Sequence, residues 1–194
     1  SPWAFAGTSK LGYVTLPEGM TEIGEYGFYL CGASGYTLPS TLIELEQYSF
    51  AKNYNLNYIQ IPDNVLQIGR YAFAECWNLY SVSFNATSKL PRISYGAFAY
   101  SGINYFTVPA NVSTIAQGAF IGCKNLYSVT FAANSKLESI SAYMFDGCTN
   151  LQSITFMPGS ALTSIQVHGL EGMDRLNSQD GLLGRPRRSI HHIR

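Results

Sequence analysis

A phenylalanine, usually preceded by a small residue, returns at Phe5, Phe28, Phe50, Phe73, Phe98, Phe120 and Phe145, with Leu170 in the next place, at spacings of 22 to 25 residues. Self-similarity on this scale constrains the architecture before any local motif is read, because a unit of roughly 20–50 residues cannot bury its apolar face alone and must stack on copies of itself. Other columns keep the same phase. Five residues before the Phe stand Ile23, Leu45, Ile68, Ile93, Ile115, Ile140 and Ile165; eight before it stand Met20, Leu42, Val65, Leu90, Val112, Leu137 and Leu162. Three residues after it come Thr8, Cys31, Asn53, Cys76, Ser101, Cys123 and Cys148, small side chains suited to a tight, buried turn.

Each unit then opens a short alternating segment, as in Leu79-Tyr80-Ser81-Val82-Ser83-Phe84. The alternation is that of a half-buried strand, and one such strand in a period of roughly 20–29 residues matches a leucine-rich-repeat coil. The return segment, residues 68–76, has its apolar side chains at 68, 71 to 73 and 76, nearer to helical than to strand spacing. The sequence therefore predicts an α/β solenoid of about seven units, each with one short parallel strand and a helical or irregular return. Parallel crossovers prefer the right hand. In one class of unit Pro17, Pro39, Pro62 or Pro109 ends the pairing. In the other, the connections 84–90, 131–137 and 156–162 are two residues longer, which accounts for the 25-residue units. The units beginning at Phe28 and Phe98 are one residue short ahead of the strand, with Ala33 and Ile103 in the leucine place.

The composite Ile-Gly-x-x-Ala-Phe-x-x-Cys-x-x-Leu, followed by a strand ending in Ile-Pro, resembles the BspA-type leucine-rich repeat. It is carried by Ile68, Gly69, Ala72, Phe73, Cys76, Leu79, Val82 and Phe84, again by Ile115, Ala119, Phe120, Cys123, Leu126, Val129 and Phe131, with Ile61-Pro62 and Val108-Pro109 as the endings. The resemblance covers roughly residues 3–176. It implies a secreted or surface-displayed protein of the kind linked with adhesion to extracellular-matrix proteins, host cells or other microbes. A fold does not fix a function. An intracellular scaffold or effector module, or the accessory array of a larger enzyme, would use the same repeat.

Only 12% of residues are charged, about half the roughly 25% of an ordinary soluble domain, and twelve basic side chains balance twelve acidic ones. A nucleic-acid partner is disfavoured for the array. No apolar run approaches the roughly 18 residues of a membrane-spanning helix. If the strands line a concave side, their outward positions form three columns without a charge. These offer Tyr13, Tyr58, Tyr80, Tyr105, Tyr127, Asn57, Asn104, Gln60 and Gln152 as candidate partner-binding residues. Tyrosine gives a large, rigid contact area with a hydroxyl handle. The same residue types also have good strand propensity, so the bland reading stays open. Tyr26, Tyr48, Tyr71 and Tyr143, two residues before the repeat Phe, are expected to pack the turn.

All four cysteines fall in one column, without a C-x-x-C, which points to buried free thiols; a Cys123–Cys148 bridge is the alternative. No metal or other cofactor is implied. Catalysis has little support, since His168, His191 and His192 lie near or beyond the end of the array and no nucleophile or phosphate-loop motif occurs. The pairs Glu22 with Glu25 and Glu44 with Glu46 suit the start of a helical turn. Asn85-Ala86-Thr87 and Asn111-Val112-Ser113 are sequons in connections after a strand, so Asn85 and Asn111 are possible glycosylation sites. The expected division is an array over 1–180, starting in mid-repeat and ending in a degenerate unit, then a basic, disordered tail over 181–194 with four Arg and no acid. The chain is expected to be part of a longer protein.

Overall fold

The computed structural model describes residues 2–166 and 168–170. Each coil contributes two short strands where the sequence reading gave one. In chain order these are β1 (Tyr13–Thr15), β2 (Glu22–Ile23), β3 (Gly35–Thr37), β4 (Glu44–Leu45), β5 (Tyr58–Ile61), β6 (Gln67–Ile68), β7 (Ser81–Phe84), β8 (Arg92–Ile93), β9 (Tyr105–Val108), β10 (Thr114–Ile115), β11 (Ser128–Phe131), β12 (Ser139–Ile140), β13 (Ser153–Phe156) and β14 (Ser164–Ile165). All pair in parallel. The longer strands form β1-β3 and the sheet β5-β7-β9-β11-β13; the two-residue strands form β2-β4-β6-β8-β10 and β12-β14. The short strands carry the aliphatic column of Ile23 to Ile165, so that column is a second ladder and not the start of a helix. Strand pairing thins where the short units enter. β9 meets β7 only through Ser81 and Tyr105, and β3 pairs with β1 alone, although Ala33 and Ile103 are fully buried in the leucine place.

No helix occurs among the described residues, so the α/β class and the helical return are corrected to an all-β parallel solenoid. The return segment is a run of overlapping turns. Around Phe73, Ala72 N–H bonds back to Gly69 C=O and Ala74 N–H to Tyr71 C=O. The alternate donors, on Tyr71, Phe73 and Glu75, instead reach Tyr95, Ala97 and Ala99 of the following coil. Each such turn needs a positive φ two residues before or two residues after the Phe. The pairs are Trp3 and Gly7, Tyr26 and Leu30, Tyr48 and Lys52, Tyr71 and Glu75, Gly96 and Tyr100, Gly118 and Gly122, Tyr143 and Gly147. Consecutive three-residue turns bring apolar residues inward at intervals of three or four, which is why they imitate helical spacing.

The core lies between the ladders. Its spine is the phenylalanine column, whose neighbouring rings stack from Phe5 to Phe145 at centroid distances of 5.1 to 5.5 Å. Phe50, Phe73, Phe98, Phe120 and Phe145 are fully buried, and each stacked pair adds about 0.5–1.5 kcal/mol beyond its area burial. The small-residue column satisfies the spine's carbonyls: Cys76 Sγ donates to Phe50 O at 3.1 Å, Cys123 to Phe98 O at 3.0 Å and Cys148 to Phe120 O at 3.1 Å. All four cysteines are free and buried, as the column predicts. Asn53 takes the same place, donating to Phe28 O at 2.6 Å and Phe50 O at 2.8 Å, while Tyr36 Oη donates to its Oδ1 at 2.6 Å.

Candidate functional site

The strand register builds the predicted columns. Tyr13 pairs with Gly35, Tyr58 with Ser81, and Ser81, Tyr105, Ser128 and Ser153 follow in one row. Inward positions of the same strands, Ile59, Val82, Phe106 and Val129, are buried, so alternation turns their neighbours outward. Tyr13, Tyr58, Tyr80, Tyr105 and Tyr127 are 43 to 65% exposed. Asn57 and Gln60 are exposed beside them; Asn104 and Gln152 are half-buried. The face brings Tyr105 and Tyr127 together, with ring centroids 5.8 Å apart.

Two of the tyrosines are pinned across the neighbouring strand. Tyr58 Oη hydrogen-bonds Ser83 Oγ at 2.7 Å, and Tyr13 Oη hydrogen-bonds Thr37 Oγ1 at 3.0 Å. The Tyr13 ring occupies the space over Gly35, where an added Cβ would stand 2.7 Å from ring carbon Cε2. A side chain there would lift the ring off the sheet. Each pinned tyrosine therefore leans along the surface toward the neighbouring strand, its hydroxyl engaged and its ring exposed.

Beside the tyrosines run two grooves, at the junction of the strands with the connections that follow them. The first, about 490 Å³, is bordered by Tyr13, Tyr58, Gln60, Glu18, Asp63 and Asn85 among others. The second, about 620 Å³, is bordered by Tyr105, Thr107, Phe84, Asn85, Pro109 and Ala133 among others. Asn85 borders both. The two carboxylates are held by the chain itself. Ser40 donates its N–H and hydroxyl to Glu18, each at 3.0 Å, and these bonds lower the Glu18 pKa. Thr87 Oγ1 donates to Asp63 Oδ2 at 2.5 Å and Asn85 Nδ2 to its Oδ1 at 2.9 Å, which lowers the Asp63 pKa. Both stay ionised at neutral pH.

Glu18, Asp63 and Asn64 were not among the predicted site residues. For Asp63 and Asn64 the signal was the recurring Pro-x-Asn of Pro62 to Asn64 and Pro109 to Asn111, a pattern that Glu18, in Pro17-Glu18-Gly19, does not share. Asn64 Nδ2 donates to Ser40 O and accepts from Lys89 Nζ, each at 2.8 Å, and Asn111 repeats the arrangement with Ser88 O and Lys136 Nζ at 2.8 Å. The sequon amides of Asn85, on Asp63, and Asn111, on Ser88, thus already serve as ties between coils. Glu25 and Glu46 also serve the backbone: Glu46 Oε2 accepts the Glu25 N–H at 2.9 Å, and Gln47 Nε2 donates to Glu25 Oε1 at 3.2 Å.

A second aromatic row runs along the return segments. Trp3, Tyr26, Tyr48 and Tyr71 stack at 4.0, 4.8 and 5.0 Å, with Tyr95 edge-on. Their ring faces are spent on each other, in agreement with a packing role. Tyr143 stacks on His168 at 5.1 Å in the same column, away from the strand face. Among the described residues no group of three or more His, Cys, Asp and Glu side chains could hold a metal, and no helix is long and apolar enough to cross a membrane. The tail, 181–194, and the degenerate unit beyond Leu170 lie outside the described residues.

A family model described as the BspA type leucine rich repeat region matches residues 1–101 and 91–179, in six copies. Solved structures share the fold. A leucine rich repeat protein of T. pallidum is 26% identical at a TM-score of 0.72, over 85% of this chain and 78% of that one. A leucine rich cell surface protein of Faecalibacterium prausnitzii is 20% identical at 0.63, over 84% of this chain and 56% of that one. A leucine-rich repeat protein of Eubacterium ventriosum is 18% identical at 0.54, over 96% of this chain and 63% of that one. The chain thus spans less than two thirds of the last two proteins. No curated protein matches it in sequence.

Proposed function

The chain belongs to the BspA-type leucine-rich repeat family, and from that premise we propose that its strand face is a protein-recognition surface, displayed outside the cell and used in adhesion to host or extracellular-matrix proteins. The observation that carries this is the row of exposed tyrosines set among Asn, Gln, Ser and Thr on one sheet face. Rigid aromatic side chains lose little entropy on binding, and a surface without lysine clusters gives no purchase to a polyanion. The family resemblance supports a surface location, and the Faecalibacterium neighbour carries that description for its own chain. In this reading the face binds and does not catalyse. The sequons at Asn85 and Asn111 would add glycans at the edge of this face in a eukaryotic host.

The test is the double variant Tyr80→Ala with Tyr105→Ala against immobilised, purified extracellular-matrix proteins. Capture by the native chain and its loss in the variant, with a thermal midpoint within a few degrees of the original, supports the reading. Equal capture by both would move recognition off the strand face.

A further inference from the structure

The pinned tyrosines differ from the anchors that usually drive protein interfaces. Interface hot spots are side chains that fill a pocket on the partner, whereas Tyr13 and Tyr58 lie along the sheet with their hydroxyls already bonded to Thr37 and Ser83. What they have left to offer a partner is the exposed ring. An aromatic face is the negative side of its quadrupole, and the C–H face of a pyranose ring is a complementary, weakly positive surface of similar size. Along the first groove Gln60, Asn64 and Asn85, and along the second Thr107, carry amide and hydroxyl groups of both donor and acceptor kind, as sugar hydroxyls are, with the amides partly engaged by each other, Ser40, Asp63 and Lys89.

The charge on the grooves narrows the ligand further. No lysine or arginine borders either groove, and Glu18 and Asp63, ionised and bonded to the chain, border the first. An anionic sugar would meet the Glu18 carboxylate and that of Asp63, whose charge Lys89 offsets only in part. The long axis also fits, because the platform tyrosines stand on alternate coils, about 9.6 Å apart at a strand spacing of about 4.8 Å, comparable to the advance of two sugars in an extended glycan. Asn85, common to both grooves, makes the surface continuous.

We propose that the two grooves form a binding site for a neutral oligosaccharide, with pyranose units on the exposed rings of Tyr13 and Tyr58 and against Tyr105. The proposal rests on the strand face being the recognition surface and names what that surface reads on a partner glycoprotein.

The experiment applies the full chain to an array of neutral, sialylated and sulfated oligosaccharides, and to matrix glycoproteins before and after enzymatic removal of their glycans. Neutral oligosaccharides are expected to bind, with sialylated or sulfated counterparts weaker by about ten-fold or more. Tyr58→Ala should weaken the best neutral ligand about ten-fold, the scale of one lost ring contact. Asp63→Asn and Glu18→Gln together should narrow the gap to the anionic glycans. Tyr80→Ala with Tyr105→Ala serves as the common control. Capture of glycoprotein that survives deglycosylation and is lost in that control overturns the glycan proposal while leaving protein recognition intact. Binding of anionic glycans alone overturns it too. Failure to bind glycans and proteins alike removes both readings.

Discussion

Within one molecule the repeat offers two solutions to the same buried problem. In the coil of β3, Tyr36 packs between Phe28 and Phe50 at 5.1 and 4.8 Å and donates to Asn53. In the coil of β9, Phe106 packs between Phe98 and Phe120 at the same 5.1 and 4.8 Å, and Cys123 stands where Asn53 does. Tyr36→Phe with Asn53→Cys should therefore convert the first arrangement into the second. Asn53→Cys alone keeps a donor for Phe28 O and strands the Tyr36 hydroxyl, at a cost of about 1–3 kcal/mol. Tyr36→Phe alone strands the buried Asn53 Oδ1, at a similar cost. The double variant leaves neither group unsatisfied and should lie within about 1 kcal/mol of the parent, a coupling of about 2 kcal/mol or more between residues in contact. Urea unfolding of the four proteins measures it, compared at equal m-values. Additive losses, with the double variant as weak as the sum of the singles, would refute the claim that the hydroxyl and the amide exist to satisfy each other.

Phe98→Ala, in the middle of the spine, should cost about 3–5 kcal/mol in the same assay, while Phe5→Ala on the half-exposed first ring costs much less. Gly102→Ala should be destabilising by about 1–3 kcal/mol, because its Cβ would stand 2.0 Å from the Trp77 carbonyl oxygen, and thermal unfolding will report it. Glu18 and Asp63 titrate below their ordinary values of 4.5 and 3.8, so their contribution is complete above those values and is lost as pH falls through the lowered ones. Asp63→Asn should flatten that acid limb of the midpoint against pH. Burial pushes the Cys76 thiol up to about 12, so its contribution holds below 9 and is lost as pH rises from there. Thiol reagents at neutral pH should find no cysteine in the native protein and four after denaturation.

The coil, the buried columns and the outward tyrosines were legible because each follows from phase: one Phe sets the register of every other position. The return segment was misread for a definite reason. Left-handed residues are signalled by glycine, and Gly96, Gly118, Gly122 and Gly147 do mark the turns. Tyr26, Tyr48, Tyr71, Leu30, Lys52 and Glu75 hold the same conformation without being glycine, and so conceal it. Stacking explains the tyrosines among them, since each ring gains a neighbour from the adjacent coil. The second ladder escaped notice because two-residue strands have no period to read. The grooves were invisible for another reason, since they form where Glu18, Asp63 and Asn85 of different coils converge, and no single unit contains them.

The alternate donors of the return segments give the solenoid a polarity. From Phe5 to Phe120 the bonds from the Phe-centred N–H groups, as from Phe50 to Ala72 or Phe73 to Ala97, point toward the C-terminal neighbour. Aligned peptide dipoles add, as they do along a helix axis, but here the N–H groups point the other way along the chain. The return side of the coil therefore carries its positive pole toward the C-terminal end and its negative pole toward the N-terminal end, opposite in sense to an α-helix. A coil added on the C-terminal side must bring carbonyls and one on the N-terminal side must bring donors, so the stack can lengthen in register only head to tail.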